Sequence, residues 1–150
     1  MKRVARTSYL LRQAQLLAYV RIADCLRKYR ITPMQYMLLS FSRRNGELSA
    51  AELARRFAVT PQSMNEAISA LQRKRLLKRK EATEHRRIQR TSLTATGHSL
   101  LQKCDKEIDS IEQELFSALS RDELDSLRAT LRKFIISVRG GDANDNESVP

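Results

Sequence analysis

Two helix-start signals eleven residues apart constrain this chain more than any other feature of it. Ser49-Ala50-Ala51-Glu52 is a capping box: the serine hydroxyl accepts from the glutamate backbone while the glutamate side chain reaches back to the serine amide. Leu53, Ala54 and Phe57 then give a short apolar face. Thr60-Pro61-Gln62-Ser63 opens a second helix, because Thr can cap and Pro is preset for the first turn. Met64, Ala67, Ile68 and Leu71 recur behind it at steps of three and four. Ala58-Val59 leave room only for a tight connection, and two short helices joined this way form a helix-turn-helix.

The next segment changes character. Leu76 to Lys80 and Arg87 to Leu93 flank the polar stretch Glu81 to Arg86 and read as a two-stranded hairpin, with Leu77 and Ile88 inward and Arg79, Arg87 and Gln89 outward. A lone hairpin is marginal in water, so it must lean on the helices before it. On the N-terminal side, Leu16, Val20, Ala23 and Leu26 mark a helix over residues 8–30. Thr32-Pro33-Met34-Gln35 starts another, with Met34, Met37, Leu38 and Phe41 as its buried stripe and Asn45-Gly46 as its end. Thr94 begins the longest helical stretch, carrying Leu100, Leu101, Cys104, Ile108, Ile111, Leu115 and Leu119. Ser120-Arg121-Asp122-Glu123 is a further capping box, opening a helix with Leu124, Leu127, Leu131, Phe134, Ile135 and Val138 on one side.

The expected fold is therefore mainly α with a small two-stranded β-wing: a winged helix-turn-helix with N- and C-terminal dimerisation helices. Its expected divisions are an N-terminal helix at 1–32, a DNA-binding module at 33–93, C-terminal helices at 94–139 and a disordered tail at 140–150. Four Gly and three Pro in 150 residues are too few for the turns of a many-stranded architecture, which excludes an all-β fold.

Charge narrows the function. The formal net charge is +11, concentrated in two places: eight basic residues against one acidic over 1–30, and nine against two over 71–90. A coat of solubilising lysines would be spread evenly; this distribution suits a polyanion. Cys25 and Cys104 stand 79 positions apart with no partner at metal spacing, so neither a zinc cluster nor a disulfide framework is expected, and a reducing cytoplasm is. The longest apolar run, Leu16 to Val20, is far too short to span a bilayer, and no membrane association or signal peptide is expected. His85 and His98 are the only histidines, and no nucleophile motif, phosphate loop or ligand cluster accompanies them. Neither a catalytic site, a metal nor a cofactor is expected.

Glu84-His85-Arg86-Arg87 running through Ser92-Leu93-Thr94-Ala95-Thr96-Gly97 resembles the wing signature of the MarR family of winged-helix transcriptional regulators, which ends in L-T-x-x-G. Val59 to Ser63, entering a helix that ends Leu71-Gln72-Arg73-Lys74-Arg75-Leu76-Leu77, is similar to that family's recognition helix, and the resemblance covers about residues 8–138. Three positions depart from the pattern. Glu84 stands where Asp is usual before Arg86. Arg75 replaces a common Gly, so the recognition helix is expected to end without the usual left-handed residue. Glu66 stands where a basic side chain is frequent, where it would repel phosphate or accept from a cytosine amino group.

The resemblance implies a double-stranded DNA partner. Thr60, Pro61, Gln62, Ser63 and Asn65 would lie in the major groove, with Gln62 and Asn65 pairing to adenine edges and Ser63 serving base or phosphate. Alternatively, Gln62 and Ser63 merely complete the helix start. Arg86 would enter the minor groove, and Arg73, Lys74, Lys78, Arg79, Lys80 and Arg87 would meet phosphates. A winged module reads few base pairs, so two copies on a palindrome are expected, paired through the apolar stripes of the outer helices. The resemblance further implies a small aromatic or phenolic effector, with Tyr19, Tyr36 and Met37, and also Tyr9 and Tyr29, as candidate lining. Plain core is the alternative for these side chains. Two other readings of the chain stay open: a non-specific or architectural nucleic-acid binder, and a redox-sensing regulator using Cys25, whose sequence neighbours Arg21, Arg27, Lys28 and Arg30 would favour a thiolate.

Overall fold

All three capping boxes form. In the structure, a computed structural model that describes residues 5–81 and 89–139, the Thr32 hydroxyl accepts from Gln35 N at 3.1 Å and opens helix α2 (Pro33–Asn45). Ser49 does the same for α3 (Ala50–Phe57), where the Ser49 amide donates to Glu52 Oε2 at 2.7 Å. Ser120 and Glu123 repeat the arrangement at α6 (Arg121–Arg139), at 2.8 and 3.3 Å. Helix α1 spans Thr7–Arg27, α4 Pro61–Arg73 and α5 Ala95–Leu115.

Between the helices lies a three-stranded antiparallel sheet. Strands β2 (Leu77–Glu81) and β3 (Gln89–Leu93) form the expected hairpin, and β1 (Leu48–Ser49) adds a strand the sequence did not announce, giving the order β1-β3-β2. The Thr91 hydroxyl donates to the Leu48 carbonyl at 3.1 Å and pins that edge. The register pairs Leu77 with Leu93 and Arg79 with Thr91, and Thr91 is fully buried. Directly opposed residues share a face, as do residues two apart on one strand. Arg79 therefore lies on the same side as Leu77, against the expectation that it points outward, while Lys78 and Lys80 are exposed. Ile88, the other expected inward residue, and Arg87 lie outside the described residues, as does the tail at 140–150.

The core gathers where α2, α3, α4, the sheet and the first half of α5 meet. Leu26, Leu38, Leu39, Leu53, Met64, Ile68, Leu71 and Leu101 are completely buried, and Phe41 meets Phe57 edge-on at 5.7 Å between ring centroids. Met37 was expected in the α2 stripe but is 38% exposed. Helix α2 packs against α1, α5 and β3 together, which moves its buried arc to Leu38, Leu39, Phe41 and Ser42.

A short sequence locks the sheet to the next helix. Thr94 caps α5 by accepting from Gly97 N at 3.0 Å, and its own hydroxyl donates to the Arg75 carbonyl at 2.6 Å. The Thr94 amide donates to the Leu76 carbonyl at 3.1 Å. Gly97 is packed so closely that a Cβ there would lie 2.3 Å from the Leu76 carbonyl oxygen, which no side chain tolerates. Arg75 itself adopts φ 58°, so the chain does leave α4 through a left-handed residue, contrary to expectation. Its carbonyl is held by Thr94 and its amide by Gln72 O at 2.8 Å, and these bonds fix a conformation that Gly would adopt more easily.

The outer helices end differently. Only the last part of α1 reaches the core, and α6 has no buried side chain among the described residues. Among those residues, too, no helix is long and apolar enough to cross a membrane.

Candidate nucleic-acid interface

Helix α4 has its rotation fixed by Met64, Ile68 and Leu71, each completely buried. With that face inward, Gln62, Ser63, Asn65 and Glu66 must face solvent, and all four are exposed. Thr60 caps the helix by accepting from Ser63 N at 3.1 Å and donates its own proton to Ser63 Oγ at 3.0 Å. Ser63 is thus engaged at the helix start, as one of its two readings held. Gln62 is not; it donates instead to Glu66 Oε1 at 3.3 Å, one turn along the exposed face. Asn65 donates to the Pro61 carbonyl at 3.0 Å and accepts from Arg79 Nη2 at 3.1 Å. The structure therefore brings Thr60, Pro61, Gln62, Ser63, Asn65 and Glu66 onto one exposed surface, with Arg79 of β2 at its edge.

The remaining cations divide. Arg73 is exposed at the end of α4. Lys74 Nζ ties back to the Arg30 carbonyl and to Gln35 Oε1, bracing the α1–α2 connection. Lys80 of β2 lies 3.7 Å from Oε1 of Glu47, the residue before β1. Arg86 and Arg87, and with them Glu84, fall outside the described residues.

A second feature is a cleft of about 610 Å³ between α2, α5 and α6, a size usual for small-molecule sites. Tyr36 lines it; Tyr9, Tyr19, Tyr29 and Met37, the other four candidates, do not. Its polar corner is Asp105, which accepts from Tyr36 Oη at 2.8 Å and from Arg43 Nη1 at 2.7 Å, while Ile108, Leu127 and Leu131 supply apolar wall. Burial and then the Asp105 hydrogen bond push the Tyr36 phenol well above its ordinary range, so it stays a protonated donor. Asp105 and Arg43 escaped the sequence reading because Asp105 meets Tyr36 and Arg43 only across the fold, from a helix more than sixty positions away.

Cys25 sits at the α1–α5 junction, where its Sγ donates to Glu107 Oε2 at 3.4 Å. Glu107 also accepts from Tyr29 Oη and pairs with Lys28, and those partners hold its carboxyl below the ordinary range, Lys28 first. The expectation of a thiolate is reversed: burial and then the Glu107 hydrogen bond and charge raise the Cys25 thiol, outweighing Lys28. The Tyr29 phenol is pushed up to about 12, chiefly by its bond to Glu107. Cys104 is buried, with its thiol pushed up to about 11 by that burial.

Residues 31–88 match the profile of the MarR family. That stretch runs from the residue before the α2 cap through α4 and into the wing, so the match falls on the helix-turn-helix just described. Over that stretch the winged module is of MarR type. Relatives and structures agree with it. The chain is 27% identical over 101 residues to the transcriptional repressor MdtR of Bacillus subtilis, an alignment spanning 67% of this chain and 65% of that one. It therefore spans slightly under two thirds of that relative's length. A crystal structure of a mutant E. coli MarR complexed with operator DNA superposes with a TM-score of 0.76 at 21% identity, over 85% of this chain and 91% of that one. The structure of Bordetella bronchiseptica BpsR, whose DNA binding is regulated by 6-hydroxynicotinic acid, gives 0.78 at 22% identity, over 89% and 96%. The MarR architecture, with helices on both sides of the winged module, thus extends along nearly the whole chain.

Proposed function

We propose that the chain is a dimeric, sequence-specific transcriptional regulator, acting in the cytoplasm as a repressor and released from its operator by a small aromatic or phenolic effector. The observation that carries this reading is the exposed polar row of α4. Gln62, Asn65 and Glu66 are presented to solvent on a helix whose opposite face is sealed into the core. Such a helix has the width and the donors and acceptors to read base edges in a major groove. MarR, similar in fold, has been crystallised on operator DNA.

The palindrome and the second copy rest on the outer helices. Leu10, Leu16, Leu17 and Val20 of α1 and Phe134 and Val138 of α6 are each about half or more exposed in the single chain. That amount of bare apolar surface is what a partner copy would cover. The effector rests on the α2–α5–α6 cleft, where Arg43 carries more N–H groups than the one given to Asp105 and the Tyr36 oxygen can accept from a phenol, beside apolar wall. It lies between the DNA-reading module and the outer helices, so occupancy there would bias their relative position.

Selection of bound duplex from a random pool, followed by footprinting, tests the reading. Two mirror-related protected tracts about ten base pairs apart are expected. Affinity should fall with salt at a slope of about −0.9 per phosphate neutralised, and Gln62→Ala should cost about 1–3 kcal/mol at particular base pairs only. Equal affinity for the selected and random duplexes would replace this reading with an architectural binder.

A further inference from the structure

An asparagine amide presents one donor group and one acceptor that exchange places when the side chain turns by half a revolution. Which of them meets a base edge decides which base pair it matches. On an exposed helix nothing ordinarily chooses between the two. Here two neighbours choose. Asn65 Nδ2 is 3.0 Å from the Pro61 carbonyl, which can only accept, and Oδ1 is 3.1 Å from Arg79 Nη2, which can only donate. Turning the amide over would set its hydrogens against the guanidinium and its oxygen against the carbonyl, losing both bonds. With both made, Asn65 keeps one N–H and one oxygen lone pair, the complement that a paired contact with an adenine edge requires.

We infer that Arg79 is a positioning residue for base readout: it holds the Asn65 amide in one orientation, so that the recognition helix discriminates an A·T pair from the alternatives. The inference rests on the DNA-reading function proposed above. It moves Arg79 out of the group of phosphate contacts, in agreement with its place on the inner face of β2, half-buried and opposite the fully buried Thr91. The strand thereby serves the helix. A side chain ordered before binding loses less entropy on binding, and a fixed amide rejects the wrong base pair by leaving its own groups unmatched.

The test uses the full chain and a duplex recovered by selection from a random pool, assayed with a panel of single base-pair changes at several salt concentrations. Asn65→Ala should abolish discrimination at one base pair of each half-site, a change of about 5- to 140-fold. Arg79→Met, which keeps the apolar stem, should lose discrimination at that same pair with the salt slope unchanged. Adding Arg79→Met to Asn65→Ala should alter discrimination no further. A uniform loss across all sequences with a slope reduced by about 0.9 would make Arg79 a phosphate contact and overturn the inference. So would full discrimination by Arg79→Met. Failure of the parent chain to enrich any duplex would instead refute sequence-specific binding itself, and the inference with it.

Discussion

Helices α4 and α6 carry apolar stripes of the same spacing, yet the structure treats them in opposite ways. Met64, Ile68 and Leu71 of α4 are sealed, whereas Phe134 of α6 is 52% exposed and Val138 70%. The difference lies in what surrounds each helix. The helix-turn-helix folds α2, α3 and the sheet around α4 within a few tens of residues, so every apolar face has a local partner. Helix α6 comes after α5 through a single turn and is held to it by Arg128, which reaches Glu112 at 3.3 Å. Its outer stripe stays bare among the described residues. A hydrophobic stripe thus does not by itself specify burial within the chain; topology decides which stripe the chain covers.

The sharpest way to break this comparison is to charge the bare surface. Leu17→Glu with Phe134→Glu should give a particle near 17.3 kDa by light scattering, where the parent gives twice that mass. Affinity for the selected duplex should fall by about 10²- to 10⁴-fold as two linked half-site contacts become independent. A parent chain that already measures as a monomer would erase the proposed distinction between the two regions. Next in size, Ile68→Ala should lower unfolding stability in urea by about 2–5 kcal/mol at fixed protomer concentration, through the cavity left in the sealed region, with the assembled mass unchanged. Smallest, Arg75→Gly should raise stability by about 0.5–1 kcal/mol, because its left-handed φ of 58° suits a residue without a Cβ. A neutral or destabilising result would mean that the arginine side chain makes compensating contacts at the junction of α4 and β2.

The same division explains how much could be read from the residues. Thr32 with Gln35, Ser49 with Glu52, and Ser120 with Glu123 were legible because a cap is completed within four residues. The helix-turn-helix came from caps and periodicity and the hairpin from strand-like runs flanking a polar stretch, whereas the placement of Gln62, Asn65 and Glu66 toward a groove was what the MarR resemblance implied. Strand β1 was hidden because its two residues overlap the α3 capping box, and its pairing with β3 joins positions more than forty apart. Arg79 was placed on the wrong side for a related reason: an outward role was assigned from its charge, while strand parity groups it with Leu77. Met37 missed the core because the packing of α2 against α1, α5 and β3 shifts its buried arc to Leu38, Leu39, Phe41 and Ser42, away from the stripe that periodicity suggests. The Tyr36–Asp105–Arg43 corner and the Glu107 hub have no local signature, since each is assembled from helices brought together only by the fold.

Gly97 has a further bearing on how the molecule can transmit a signal. Because α5 begins with its backbone pressed onto the Leu76 carbonyl and stapled there through Thr94, no slack separates that long lever from the foot of the hairpin or the exit of α4. Any tilt of the lever must carry the exposed α4 surface as one piece, and in the proposed dimer it would alter the span between two such surfaces without unfolding either.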